Sequence, residues 1–196
     1  MFYPVLNFLA EQMNLYIEQV KNDSDSIESP VAVLGNIARL SEEDLKNKSN
    51  ILLSLVNISE ESTMKNDPGH VIMNNDLVKY DNPPVNLNLS LLVTSCMTNY
   101  DHALIYLSHV ITFFQGKHIF TRQNSVTQVD GLPDSFKIII DLQTLSIEQV
   151  NYLWSTLGGK QHPFACYKAR ILQLERDSTV ETRGVIRQVR IKKSGV

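Results

Sequence analysis

The chain has 196 residues, 43% of them apolar and 20% charged, and its formal net charge at pH 7 is −3. These values are typical of one folded domain with peripheral segments, and they exclude an intrinsically disordered chain. No stretch approaches the roughly 20 uninterrupted apolar residues of a membrane-spanning helix, so no membrane segment is expected. The N-terminus lacks the basic region of a signal peptide, and Cys96 and Cys166 are expected to be reduced, apolar side chains.

The first part of the chain is predicted to contain a helix and two strands. Apolar residues at helical spacing predict a helix over about residues 4–21. The segment PVAVLGNIARL predicts a strand that begins at Pro30, with Gly35 at a bulge. The segment ILLSLVNIS, which begins at Ile51, is apolar on both faces and predicts a central strand. A long polar connection is expected over residues 60–82.

A regular strand and an unusually apolar helix follow. Apolar and polar residues alternate from Val85 to Thr94, which predicts a strand with one apolar face. The helix after it is expected to end near Gly116. One apolar stripe of this helix is expected to face the core: Tyr100, Ala103, Leu104, Leu107, Ile111 and Phe114. Further apolar residues lie on its other sides, so the helix needs cover on more than one face.

The second half is predicted to contain shorter elements. GKHIFT predicts a short strand, and FKIIIDL, which begins at Phe136, predicts a longer one. Ser146 and Gln149 have the spacing of a capping box and start a further helix, which a Gly-Gly pair ends. FACYKARILQL, from Phe164, predicts another strand, and GVIRQVRI, from Gly184, predicts a last strand-like segment.

This order of elements predicts an α+β fold, with a mostly antiparallel (mixed) sheet of about five strands and three main helices packed on it. From Glu175 onward six Lys or Arg stand against three acidic residues, giving +3 there and −6 in the remainder of the −3 total. We therefore divide the chain into an α+β domain over 1–175 and a basic strand or arm over 176–196. A basic arm suits nucleic acid or an acidic protein surface, but this arm has no aromatic residue for base stacking.

No motif predicts catalysis, a cofactor or a metal site. LGGKQ lacks the spacing and the Ser or Thr of a phosphate loop, and it follows a helix where a phosphate loop precedes one. His102 and His109 share one helix face, but no third ligand is evident, so we interpret them as packing or interface residues. A GxSxG motif is also absent. We expect a protein that is not an enzyme and holds no cofactor or metal.

Several sequence blocks carry a resemblance to a known family. They are VAVLGNIAR, NILLSLVNISEE, NPPVNLNLSLLVTS, YDHALIYLSHVITFFQGKHIFT, LSIEQVNYLWSTLGGKQHP and YKARILQLE. The chain resembles the cap, or tail-terminator, proteins of phage-tail-like contractile injection systems of the antifeeding-prophage and virulence-cassette type. The resemblance covers roughly residues 3–175, and residues 176–196 lie outside it.

The resemblance implies a phage tail-terminator-like fold and a structural role. A hexameric ring is expected at the distal end of the inner tube and sheath, where it ends polymerisation and joins tube to sheath. The protein would assemble in the bacterial cytoplasm and then belong to the injection particle, without nucleic acid or membrane as a partner. The alternatives are another tail adaptor or baseplate-type component of the same machinery and, more remotely, a nucleic-acid-associated protein that uses the basic arm.

Two sets of contact residues follow from this expectation. The subunit interface is expected on a second stripe of the apolar helix: Ile105, Tyr106, His109 and Phe113. The arm is expected to pair with open strand edges of sheath or tube through Arg183, Val185, Arg187, Val189, Arg190 and Ile191. In the alternative, the arm pairs only with the sheet of its own subunit.

Overall fold

The computed structural model describes residues 2–21, 27, 29–41, 43, 50–61, 71–74, 77–80, 85–125, 131–133, 136–174 and 181–184. For 71–74, 77–80, 172–174 and 181–184 it describes the backbone alone. The helices are α1 (Phe2–Val20), α2 (Tyr100–Gly116) and α3 (Ile147–Thr156). The strands are β1 (Ala32–Leu34), β2 (Asn50–Glu60), β3 (Val71–Asn74), β4 (Leu77–Tyr80), β5 (Val85–Cys96), β6 (Ile119–Thr121), β7 (Lys137–Gln143), β8 (Phe164–Leu174) and β9 (Glu181–Gly184).

The described strands form two sheets. The main sheet has six strands in the order β1-β2-β5-β8-β7-β6. Its β1 runs parallel to β2, and all its other neighbouring strands are antiparallel. A second, antiparallel sheet has three strands in the order β3-β4-β9. The predicted α+β class with a mostly antiparallel mixed sheet is confirmed, with one strand more than expected in the main sheet.

Helices cover both faces of the main sheet. Leu91 and Val93 of β5 pack in one apolar cluster with α1 and α2, whereas Leu92 between them packs with Trp154 of α3 in another. Successive residues of a strand point to opposite faces, so α1 and α2 lie on one face and α3 on the other. Ile51 and Leu53 of β2 belong to the first cluster and Leu52 to the second, which confirms an inner strand covered on both faces over its first residues. Val56 and Ile58, further along ILLSLVNIS, are exposed.

Two predictions for the first half of the chain were wrong, one about a loop and one about a strand. Residues 60–82 are not a polar connection throughout, because they contain β3 and β4, which pair with each other. The strand expected from Pro30 is limited to β1 and is followed by a 3-10 turn, Ile37–Arg39. At Gly35 a side chain would clash with Leu52 of β2, so this glycine permits close approach of two segments and does not mark a bulge.

The last described strand lies earlier than expected and pairs within the chain. β9 ends at Gly184, where the predicted strand was to begin, and it is antiparallel to β4, with Arg183 opposite Val78. At Arg183 the structure therefore agrees with the alternative of pairing inside the subunit. The other arm residues, Val185, Arg187, Val189, Arg190 and Ile191, lie outside the described residues. The division of the chain at residue 175 stays a prediction.

Candidate functional site

Helix α2 is the element whose sequence indicated a second contact surface. The side chain of Asn99 accepts a hydrogen bond from the backbone N–H of Asp101 at 3.0 Å and caps the N-terminus. The residues that α2 buries recur at intervals of three and four: Ala103, Tyr106, Val110, Phe113 and Phe114. All of them except Ala103 pack into the cluster formed with α1 and with β5 and β8 of the main sheet.

The predicted orientation of α2 was wrong in part. Tyr106 and Phe113, which were expected at a subunit interface, are core residues, and Tyr106 is 0% exposed. Phe113 packs against Tyr16 of α1, with ring centroids 5.4 Å apart. Apolar residues occupy two possible faces of α2, and periodicity alone does not show which of them α1 and the sheet will cover. Of the expected interface residues, Ile105 is exposed and His109 is half-buried.

The face of α2 that remains outside is apolar and nearly free of charge. Its large apolar side chains are Tyr100, Leu104, Ile105 and Ile111, which we call the exposed α2 face. Two hydroxyls in this region bind carbonyls of the helix itself: Ser108 donates to Leu104 at 2.8 Å and Thr112 to Ser108 at 2.9 Å. Asp101 in the first turn is the only Asp, Glu, Lys or Arg within α2. An apolar surface without charges is typical of the core of a protein–protein interface.

A groove of about 550 Å³ continues this face between α2 and the main sheet. It is lined by Ile111, Phe114 and Gln115 of α2, by His118, by Ile140, Asp141 and Leu142 of β7, and by Tyr167 of β8. Leu142 is 59% exposed, whereas Tyr167 is 2% exposed. The Tyr167 hydroxyl has no hydrogen-bond partner among the described residues, and burial raises the pKa of this side chain to about 12. The groove is therefore a depression that is apolar in the main, with Gln115, His118 and Asp141 in its wall and a strand at its border.

A match to a family model shows to which protein family this chain belongs. The family model of the Pvc16 N-terminal domain matches residues 4–188. The chain belongs to this family. The match includes the main sheet, the helices and β9, and it runs past residue 175.

Two solved structures share the fold of this chain. One is the sheath/tube terminator of an extracellular contractile injection system, PVC, in its extended state, at TM-score 0.54 and 14% identity over 97% of this chain. The other is the tube-terminating cap of the anti-feeding prophage, at TM-score 0.62 and 14% identity over 96% of this chain. This chain spans 65% and 60% of the length of those two chains. No curated protein matches it. The resemblance identified in the sequence is confirmed at the level of family and fold.

On the other face of the main sheet, α3 also exposes two large apolar side chains. Ser146 and Gln149 form the predicted capping box: Ser146 N–H donates to Gln149 Oε1 at 3.0 Å, and Gln149 N–H donates to Ser146 Oγ at 3.3 Å. Ile147 and Tyr152 are exposed on the outer side of this helix, about 140° apart around its axis, and we call this side the exposed α3 face. Because α2 and α3 cover opposite faces of the main sheet, the exposed α2 and α3 faces are two different surfaces. Contact between two different surfaces is heterologous and generates rings or filaments.

The Gly-Gly pair and the two cysteines of the sequence occupy structural positions in this chain. Gly158 and Gly159 have positive φ angles of 106° and 80° and end α3, as predicted, because Gly159 N–H donates to the Trp154 carbonyl at 2.7 Å. Burial raises the pKa of both Cys96 and Cys166 to about 11, as in unreactive apolar thiols. Across the residues that the structure describes, no group of three or more His, Cys, Asp or Glu is placed to hold a metal ion. Their helices include none long and apolar enough to cross a membrane.

Proposed function

We propose that this chain is the structural cap, or terminator, of a contractile injection system. It forms a ring on the distal end of the inner tube and sheath, ends their polymerisation and joins one to the other. One observation carries this proposal: almost the whole chain, 97% and 96% of it, shares its fold with a sheath/tube terminator and a tube-terminating cap. Membership of the Pvc16 N-terminal domain family supports it independently.

The surface of the subunit is consistent with a ring. A closed ring needs two different and complementary patches on each copy, and the exposed α2 and α3 faces lie on opposite sides of the main sheet. We propose that the exposed α2 face contacts a neighbouring copy in a hexamer. Ile105 and His109 remain candidate contacts, and Tyr100, Leu104 and Ile111 replace the buried Tyr106 and Phe113.

The partners beyond the ring are the sheath protein and the inner tube protein. A terminator must bind both polymers at one end, so its working site is a set of surfaces and strand edges, and no catalytic step or cofactor is needed. The protein assembles in the bacterial cytoplasm and becomes part of an extracellular injection particle. Nucleic acid and membrane are not among its partners.

The experiment that tests this proposal is polymerisation of the cognate tube and sheath proteins with and without the purified chain. We expect shorter polymers of uniform length as the chain is added, measured by negative-stain electron microscopy. The variant Ile105→Asp is the control, because it should fold and yet cap poorly. Polymers that keep their length distribution at saturating chain concentration would contradict the proposal. Binding along the polymer without closure of a ring would instead favour an adaptor or baseplate-type component.

A further inference from the structure

One lateral edge of the main sheet is blocked along part of its length. At β6, the outermost strand, Asn124 Nδ2 donates to the Ile119 carbonyl at 2.8 Å, and Thr121 N–H donates to Asn124 Oδ1 at 2.9 Å. Ser125 Oγ donates to the Thr121 carbonyl at 2.5 Å. These side chains occupy backbone groups that would otherwise bind another strand, which is how proteins protect a sheet edge.

The same edge is open where β7 continues past β6. Pairing of the two strands ends at Ile119 opposite Ile139, and Ile140 N–H then donates to the His118 carbonyl at 2.8 Å. Backbone groups of a strand point to the same side every second residue, so the N–H and C=O of Leu142 point away from β8 as those of Ile140 do. Among the described residues no strand pairs with Leu142 on this side. We call residues 141–143 the open β7 edge.

The two faces beside the open β7 edge differ in chemistry. Ile138 and Ile140 point into the core beneath α2, so Leu142 points to that face, where the 550 Å³ groove lies. Asp141 points to the opposite face, where it accepts a hydrogen bond from Arg170 Nη2 at 2.7 Å, and both of these side chains are about half exposed. A strand added to this edge would thus meet an apolar groove on one face and a carboxylate on the other.

We propose that the open β7 edge binds the C-terminal arm, Val185–Ile191, of a second copy of this chain as an added strand. The arm follows Gly184 directly, and its seven residues 185–191 span about 23 Å when extended. Residues 185–196 carry four Lys or Arg and no acid, so the rest of the chain has a net charge of −3 − 4 = −7. Arm and body are therefore complementary in charge, which favours their encounter.

The side-chain pattern of the arm matches the two faces. Val189 and Ile191 are two residues apart and would both face the groove, while Arg190 between them would face Asp141. Strand addition gives affinity through the backbone groups of Leu142 and specificity through these alternate side chains. This inference rests on the proposed ring, because each copy would give its arm to the next and receive one in turn. A second copy, and not sheath or tube, is therefore the proposed occupant.

A crosslinking experiment between two full-length variants tests this inference. Leu142→Cys and Val189→Cys are made in separate chains with tags of different size, mixed, and treated with a short thiol crosslinker. We expect a product that contains one chain of each kind. A mixture of Val56→Cys with Val189→Cys is the matched control, because Val56 is exposed on β2, which β5 and β8 separate from β7 in the main sheet. It should give at least about tenfold less product. A further arm variant, Ile191→Cys, is mixed with Leu142→Cys in the same way. Adding Val189→Asp or Arg190→Glu to this arm variant should lower the yield of the mixed product about tenfold.

The other outcomes overturn the inference in distinguishable ways. A product formed only within a doubly substituted chain would show that the arm binds its own subunit. Rings seen by electron microscopy without any mixed product would contradict the inference but not the proposed cap function. A mixed product that appears only when sheath or tube protein is added would assign the arm to those partners. Absence of both rings and product would contradict the inference together with the proposed ring.

Discussion

Two adjacent residues of α2 give the sharpest test of how this helix is used. Ile105 is 46% exposed and belongs to the exposed α2 face, whereas Tyr106 is fully buried under it. We expect Ile105→Asp to leave the fold intact and to abolish ring formation. We expect Tyr106→Ala to destabilise the fold itself.

The expected magnitudes follow from these exposures. Removing a fully buried aromatic side chain costs roughly 3–5 kcal/mol, and for a chain of this size each kcal/mol lowers the Tm by about 2–4 °C. Tyr106→Ala should therefore lower the Tm by roughly 6–20 °C. Full burial of an isoleucine is worth about 1.5–3 kcal/mol, so the exposed 46% of Ile105 offers about 0.7–1.4 kcal/mol to a partner. A charge placed in an apolar contact adds to this loss, so each contact should weaken at least about tenfold.

The two variants are compared by thermal unfolding and by analytical ultracentrifugation. The expected result is a Tm within about 2 °C of the wild type and loss of the ring for Ile105→Asp. Leu104→Asp, at 43% exposure, should behave in the same way and serves as an independent check. The reasoning would be refuted if Ile105→Asp assembled as the wild type does, or if Tyr106→Ala kept the wild-type Tm.

Three further predictions concern the core, a buried hydroxyl and the C-terminus. Leu89→Asp should unfold the chain at room temperature, because Leu89 is 0% exposed and loss of its burial alone costs about 2–5 kcal/mol. A circular-dichroism melt like that of the wild type would contradict this prediction. Tyr167→Phe should be more stable than the wild type at alkaline pH. The pKa of Tyr167 is raised to about 12 in the folded chain, so the unfolded chain loses this proton first, near pH 10. The wild type should therefore lose up to about 2–3 kcal/mol of stability as pH rises from about 10 to 12. Denaturant titrations at pH 8 and about pH 11 measure the change, and an equal loss in both proteins would count against it. Truncation after Gly184 should keep the Tm and impair assembly. Truncation after Glu175 should also lower the Tm, because it removes the strand β9 that pairs with β4. Equal Tm values for the two truncations would show that this pairing adds no stability.

Much of the fold could be predicted because local patterns agree with it. β2 is apolar on both faces over its first residues, and such a pattern fits only a strand with cover on both sides. The start of α3 was predictable from Ser146 and Gln149, since a capping box is a local interaction. The Gly158-Gly159 pair marked the end of the same helix for the same reason.

The orientation of α2 could not be predicted, because it depends on partners distant in sequence. Tyr106 and Leu104 are both apolar, and only the positions of α1 and β5 decide that Tyr106 is buried and Leu104 exposed. The β3–β4 pairing was missed because two strands of four residues lie in a polar segment and give little periodic signal. The open β7 edge depends on β6 being shorter than β7, and this is not a property of a local pattern.

The central claim, that the chain terminates tube and sheath, is tested most directly by its position on the polymer. The full-length chain carrying a gold-labelled tag is added to preassembled tube–sheath polymers, which are imaged by electron microscopy. The account predicts label at one end of each polymer and no further growth from that end. Label distributed along the polymer, or growth that continues from labelled ends, would contradict it.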